Sequence, residues 1–145
     1  MTYQINTYRC RHFKLQELVG PAMFKTRGDR AWEMLDSGIL ITSDQLRDKF
    51  GAITINNWEE GGPFKESGLR DWDTSTGAQY SMHKMGKATD WKFQAADPQE
   101  VQAYVIAHPE EFPYLTTMEN AAITKTWLHG DTRNHNQNRI WVVNP

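Results

Sequence analysis

Cysteine is nearly absent. Cys10 is alone in 145 residues, so no disulfide can form within the chain, and the fold must be held by its core, with or without a metal. No apolar run approaches the ~18 residues of a membrane-spanning helix, so no membrane insertion is expected. Neither sign of charge dominates: 16 Lys and Arg stand against 18 Asp and Glu, a formal net charge of −2. That balance leaves no electrostatic footprint for nucleic acid or an anionic membrane. The opening Met1-Thr2-Tyr3-Gln4 lacks the basic-then-apolar pattern of an export signal. The expectation is a protein made in the cytoplasm that depends on something else for release. There is no repeat, low-complexity tract or linker, which predicts one domain over residues 1–145.

The chain does have material for a core. It is 39% hydrophobic, with six Trp, six Phe and five Tyr. Residues 1–12 are polar with scattered aromatics and read as an irregular or extended arm. Phe13, Leu15, Leu18 and Val19 suggest a short helix ended by Gly20-Pro21. Met23 to Asp29 reads as loop. Trp32 and Leu35 fit a helix over 30–36, with Gly38 as its C-cap. Ile39 to Phe50 reads as helix stopped by Gly51, with Leu46 and Phe50 one turn apart toward the core. Whether 30–50 is one kinked helix or two is left open by the pattern.

Ala52 to Trp58 alternates and is β-branched, so it predicts a strand. Phe64 to Tyr80 predicts a long, ordered polar loop of the kind that usually carries function. Ala88 to Phe93 reads as a strand. Asp97-Pro98-Gln99-Glu100 predicts a helix start, with Val101, Tyr104, Val105 and His108 on one face and Pro109 as the stop. Tyr114–Glu119 and Lys125–His129 read as strands joined by a turn, Asn134 to Gln137 as a polar turn, and Arg139 to Val143 as a last strand. Helices first, then strands with one helix between, predict an α+β domain: a small, mostly antiparallel sheet with helices packed on one side.

Two stretches carry chemistry. Ser81-Met82-His83-Lys84-Met85-Gly86-Lys87-Ala88-Thr89-Asp90 offers an imidazole and, seven residues on, a carboxylate, with Gly86 and Ala88 small enough for a close turn. Trp127-Leu128-His129-Gly130-Asp131 offers a second imidazole on a strand. Two His and one Asp are a common ligand set for zinc with an open fourth position. Asp131 lies on the His129 face of the strand, since side chains alternate with period two. His12, His108 and His135 have no partners at ligand spacing. Trp32, Trp58, Trp91, Trp127 and Trp141 read as core, whereas Trp72, in the polar loop, is a candidate substrate contact.

The pattern Ser81-x-His83-x-x-Gly86-x-Ala88-x-Asp90 followed by Trp127-x-His129-x-Asp131 resembles the signature of the zinc D-Ala-D-Ala metallopeptidases. These are peptidoglycan peptidases related to lysostaphin-type enzymes and the hedgehog signalling domain. Phe13-x-Leu15-x-Glu17-Leu18, Leu46-Arg47-x-x-Phe50-Gly51 and Ser67-Gly68-Leu69-Arg70 resemble the family's upstream segments in the same order, so the likeness runs from about residue 13 to 133. It implies a hedgehog-like fold, Zn2+ as cofactor and His83, Asp90 and His129 as its ligands. It also implies that Arg70 holds a substrate carboxylate or stabilises a developing oxyanion. Ser81 either hydrogen-bonds substrate or serves as a turn hydroxyl. Several members carry an acid three residues before the second His. Here that position is Thr126, which cannot transfer protons at neutral pH, so Glu119 on the preceding strand becomes the candidate general base. Asp131 either orients a ligand or is the base itself.

The implied activity is cleavage of peptidoglycan peptide stems, as a D-Ala-D-Ala carboxypeptidase or an L-Ala-D-Glu endopeptidase. A chain with these features and no attached wall-binding module resembles a bacteriophage lysin. Its partners would be a membrane-permeabilising protein or the other proteins of a virion. The rival expectation is a zinc-stabilised but inactive structural or binding module of a phage particle, motivated by Thr126.

Overall fold

A computed structural model describes residues 8–145. Of the arm expected over 1–12, residues 1–7 lie outside the described residues. The remainder has no regular element but is pinned: the buried Asp44 carboxylate accepts from Tyr8 Oη and from the backbone N–H groups of Arg11 and His12.

The fold is α+β, built on a five-stranded sheet with the order β1-β2-β4-β3-β5. The strands are β1 (Ile53–Thr54), β2 (Ala88–Phe93), β3 (Thr117–Glu119), β4 (Leu128–Asp131) and β5 (Trp141–Val143). Every pairing is antiparallel except β3 with β5. The helices are α1 (Leu15–Leu18), α2 (Pro21–Arg27), α3 (Ser37–Phe50), α4 (Pro98–Ala107) and α5 (Ala121–Thr124). No described helix is long and apolar enough to cross a membrane.

Helix α3 begins where Asp36 accepts the Ile39 N–H at 3.2 Å and ends at Gly51, whose φ of 82° suits the residue after a helix. Its inner face buries Ile39, Ser43 and Leu46, at the i, i+4, i+7 spacing of one helix face. Ser43 Oγ accepts from Trp91 Nε1 at 2.9 Å, joining α3 to β2. Helix α4 starts as its sequence predicts. Asp97 accepts from the Gln99 N–H at 2.8 Å, Pro98 occupies the first turn, and Val101 and Val105 are buried.

The strand alternation divides the sheet chemically. Trp91, Leu128, Gly130 and Met118 face the core, and a Cβ on Gly130 would lie 2.4 Å from the Trp91 ring, so the indole packs into the space that glycine leaves. The opposite parity puts Asp90, His129, Asp131 and Thr117 on the other face. In register, Asp90 lies across from His129, and Thr117 across from Asp131.

Several expectations are corrected. Met23 to Asp29 is not loop: Pro21 opens α2, so Gly20-Pro21 ends one helix and starts the next, and a 3-10 turn over Gly28–Met34 follows. No residue of α2 is buried, so it had no apolar stripe to read. Residues 30–50 are two elements. Gly38 is not a C-cap but lies in the first turn of α3, where a Cβ would meet Tyr114 Cβ at 3.0 Å. The strand expected over 52–58 is only Ile53–Thr54, because Asn56 and Asn57 divert the backbone: the Asn56 side chain binds Val19 O and the Ser67 N–H. The stretches 114–119 and 125–129 do not form a simple hairpin. Asn120 caps α5 between them by accepting from the Ala122 N–H at 3.0 Å, yet β3 and β4 still lie side by side.

Candidate metal centre

The loop between β1 and β2 is ordered by its own polar groups. The Glu66 carboxylate accepts from the Thr74 and Thr76 hydroxyls, and these bonds hold its acidity stronger than usual. Ser67 to Arg70 runs between two site-bearing segments. The Asp90 N–H donates to Ser67 O at 2.8 Å, and the Arg70 N–H to His83 O at 3.1 Å. A Cβ on Gly68 would sit 2.1 Å from Leu18 O, so only glycine permits this path. Gly86 is also required. Its φ is +69° and a Cβ would lie 1.9 Å from Met34 O, while its own carbonyl accepts the Asp36 N–H at 2.9 Å. That docking anchors the turn bearing His83 against the start of α3.

His83, Asp90 and His129 are thereby brought together. His83 Nδ1 lies 2.9 Å from Gly68 O. A carbonyl only accepts, so Nδ1 carries the proton and Nε2 of the neutral ring keeps its lone pair. His129 Nε2 lies 3.0 Å from Asp131 Oδ2, which assigns its proton to Nε2 and its lone pair to Nδ1 by the same reasoning. These two lone pairs and one carboxylate oxygen converge. His83 Nε2 to His129 Nδ1 is 3.2 Å, His83 Nε2 to Asp90 Oδ1 is 3.2 Å, and His129 Nδ1 to Asp90 Oδ1 is 2.9 Å. Three acceptors meeting at the edge of the protein interior, with each ring's N–H committed elsewhere, form a site that could hold a metal ion.

The electrostatics agree with that. Burial works against an imidazolium at His129, but hydrogen bonds to Asp131 and Asp90 outweigh it and push the ring up to about 9. Burial also works against the Asp90 anion, yet its bonds to the His129 and His83 rings hold it well below the ordinary carboxylate range. A cation between these groups is favoured.

The supporting residues divide by role. Asp131 is fully buried. Arg133 donates to its Oδ1 from Nε at 2.8 Å and to its Oδ2 from Nη2 at 2.5 Å. With His129 added, both its oxygens are engaged, and it does not line the cleft. Arg70 donates from Nε to Glu66 O at 2.7 Å and from Nη2 to Asp90 Oδ2 at 3.3 Å, the oxygen left over from the donor triangle. Ser81 Oγ accepts the His83 N–H at 3.2 Å, which gives it the turn role while it still borders the cleft.

The donors open on a cleft of about 270 Å³ whose wall includes Arg70, Ser81, Glu119, Trp127 and Arg133. Glu119 follows Met118, which pairs with Gly130, so the β3–β4 register carries it across from His129. Trp72 is not brought to this wall: it is 62% exposed, with the Lys84 ammonium 5.9 Å from its ring. Trp127, expected in the core, is 38% exposed and lines the cleft instead. Arg133 was missed, although the period-two rule that joined Asp131 to His129 extends to Trp127 and Arg133. His108 does have carboxylate neighbours, Glu110 and Glu111, but on the open surface. His12 pairs with Asp48, and His135 binds Thr116 O beside Trp141.

Comparison with models of known families, with curated proteins and with solved structures gave no match.

Proposed function

We propose that this chain is a zinc-dependent peptidase of peptidoglycan peptide stems, with a hedgehog-like or D-Ala-D-Ala-peptidase-like fold and the character of a phage lysin. The observation that carries the reading is the convergence of His83 Nε2, His129 Nδ1 and Asp90 Oδ1 on the wall of a cleft that also holds Glu119 and Arg70. Two imidazoles and one carboxylate match zinc's preference among available ions. Donors at ~2.0–2.1 Å in tetrahedral array lie ~3.3 Å apart, close to the 2.9–3.2 Å edges seen here.

When bound, zinc would act as a Lewis acid, lowering the pKa of a water toward ~7 and polarising a carbonyl. The chain's own residues do the rest. Glu119 takes the proton of the attacking water and returns it to the leaving amine. Arg70, anchored by Glu66 O, directs its remaining N–H groups at the oxygen that becomes negative. Asp131, clamped by Arg133, keeps His129 in the tautomer that presents Nδ1. Thr126 at the usual acid position is then no obstacle, because the carboxylate is supplied from β3.

The test is turbidity loss of permeabilised bacterial cells with zinc-loaded protein, followed by mass spectrometry of the released wall fragments. Loss of turbidity with new termini in the stem peptides is expected, and the masses tell a carboxypeptidase from an L-Ala-D-Glu endopeptidase. Full zinc occupancy with intact stems would reject the peptidase reading in favour of an inactive zinc module.

A further inference from the structure

Beyond the metal cleft lies a second groove, of about 520 Å³. Asp90 and Trp127 line both spaces, so the two adjoin at the metal centre. Phe64, Phe93 and Trp127 give this groove an apolar wall, and its polar residues include Ser67 and Lys92. Phe64 and Trp127 are both partly exposed there, at 40% and 38%.

Lys92 is the unusual member. It projects from β2 on the same face as Asp90, two residues along the strand. Its ammonium lies 2.8 Å from Ser67 Oγ, 3.4 Å from Asp90 O and 4.3 Å from the centroid of the Phe64 ring. Among the described residues it has no ion pair. The Asp90 carboxylate acts on it only at a distance, being engaged by His83, His129 and Arg70. Three ammonium N–H groups meet two protein acceptors, which leaves one donor for a ligand. A lone, half-buried cation beside aromatic walls suits a ligand with an aliphatic stem and a terminal anion: the stem covers the rings and the anion forms a charge-assisted hydrogen bond.

We infer that this groove is the subsite for a substrate segment bearing a free carboxylate on an aliphatic stem, recognised by the Lys92 ammonium with Phe64 and Trp127 against the stem. The inference rests on the peptidase reading and names the substrate class that reading takes: acidic stem peptides, in preference to those whose carboxylate is amidated. Arg70 on the metal-cleft side and Lys92 on the groove side then hold the peptide on both sides of Asp90.

The test compares two synthetic stem peptides that differ only in a free or amidated carboxylate. Binding is followed by NMR titration of zinc-loaded protein carrying Glu119→Gln, so that the peptide stays uncut, with and without Lys92→Met. The acid peptide should bind about 10- to 100-fold more tightly than the amide, the scale of one charged hydrogen bond, and shift the signals of Phe64, Lys92 and Trp127. Lys92→Met should abolish that preference while leaving zinc uptake unchanged. Equal binding of the two peptides to the Lys92 protein would overturn the inference, and so would a preference that survives Lys92→Met. Should the methionine variant fail to fold, the comparison with Lys92 in place still decides, because an acid preference without shifts at Phe64, Lys92 and Trp127 would put the carboxylate elsewhere and overturn the inference. Binding is read separately from cleavage, so absence of wall hydrolysis would count against the peptidase reading and not against the groove.

Discussion

The donor triangle predicts that zinc stabilises this fold by a calculable amount. In the unfolded chain His83 and His129 are 46 residues apart in sequence, so the three donors meet only in the native state. An ion that binds the native state alone stabilises it by RT ln(1 + [L]/Kd), which is ~2.7 kcal/mol when free zinc is 100 times Kd. Unfolding entropy near 2.1 cal/mol/K per residue gives ~0.3 kcal/mol/K for a chain of this length. The midpoint of thermal unfolding should therefore rise by about 9 °C at that zinc level. Calorimetric titration of metal-free protein should show one zinc per chain. His129→Ala leaves two donors and should remove the shift. Asp90→Asn keeps the side chain's shape and an acceptor for Arg70 but removes the anion, and should weaken it strongly. The reasoning is refuted if the wild-type midpoint is indifferent to zinc, or if His129→Ala responds as the wild type does.

Other consequences can be measured on the same protein. Glu119→Gln should lower wall-peptide cleavage by ~10²–10⁴-fold while zinc stoichiometry stays at one; undiminished cleavage would remove Glu119 from the proton path. Asp131→Asn breaks the two-point grip of Arg133 and loosens His129, so zinc affinity measured by chelator competition should fall ~10–100-fold; an unchanged affinity would mean that Asp131 does not orient the ligand. The pH dependence of metal-free protein follows from His129. Its folded-state value of about 9 is above that of the unfolded chain, so its contribution is complete below ~6.5 and is lost as pH rises through about 9. Urea midpoints of the metal-free protein should fall across that window. Zinc should replace the proton there, so the loaded protein should show a flatter profile and zinc affinity should climb with pH. A metal-free protein equally stable at both ends would contradict this account of the ring.

The folded chain agrees best with the sequence where the signal is local and redundant. Helix α4 was legible because Asp97, Pro98 and the Val101/Val105 face all indicate the same element. Strand β2 lies over Ala88–Phe93, where the sequence places one, and the helix stop at Gly51 was legible from the residue itself. Helix α2 was illegible because none of its residues is buried, so no periodicity marks it. The second half of the expected 52–58 strand was lost to Asn56, whose side chain serves Val19 and Ser67, both distant in sequence. The donors His83, Asp90 and His129 were legible as residue types, and the shared parity of His129 and Asp131 followed from the strand period.

By itself, then, the sequence determined the chemical inventory and the facing of side chains within each strand, because both are set by residue type and by a repeat of two or 3.6 positions. Only the tertiary structure decided which groups meet. Gly68 O and Asp131 Oδ2 select the imidazole tautomers, the β3–β4 register carries Glu119 across from His129, and Arg133 saturates Asp131. The same packing takes Trp72 away from the cleft and puts Trp127 on its wall. Those outcomes depend on hydrogen bonds between distant segments and on close backbone approaches at Gly68 and Gly86, and no local period encodes either.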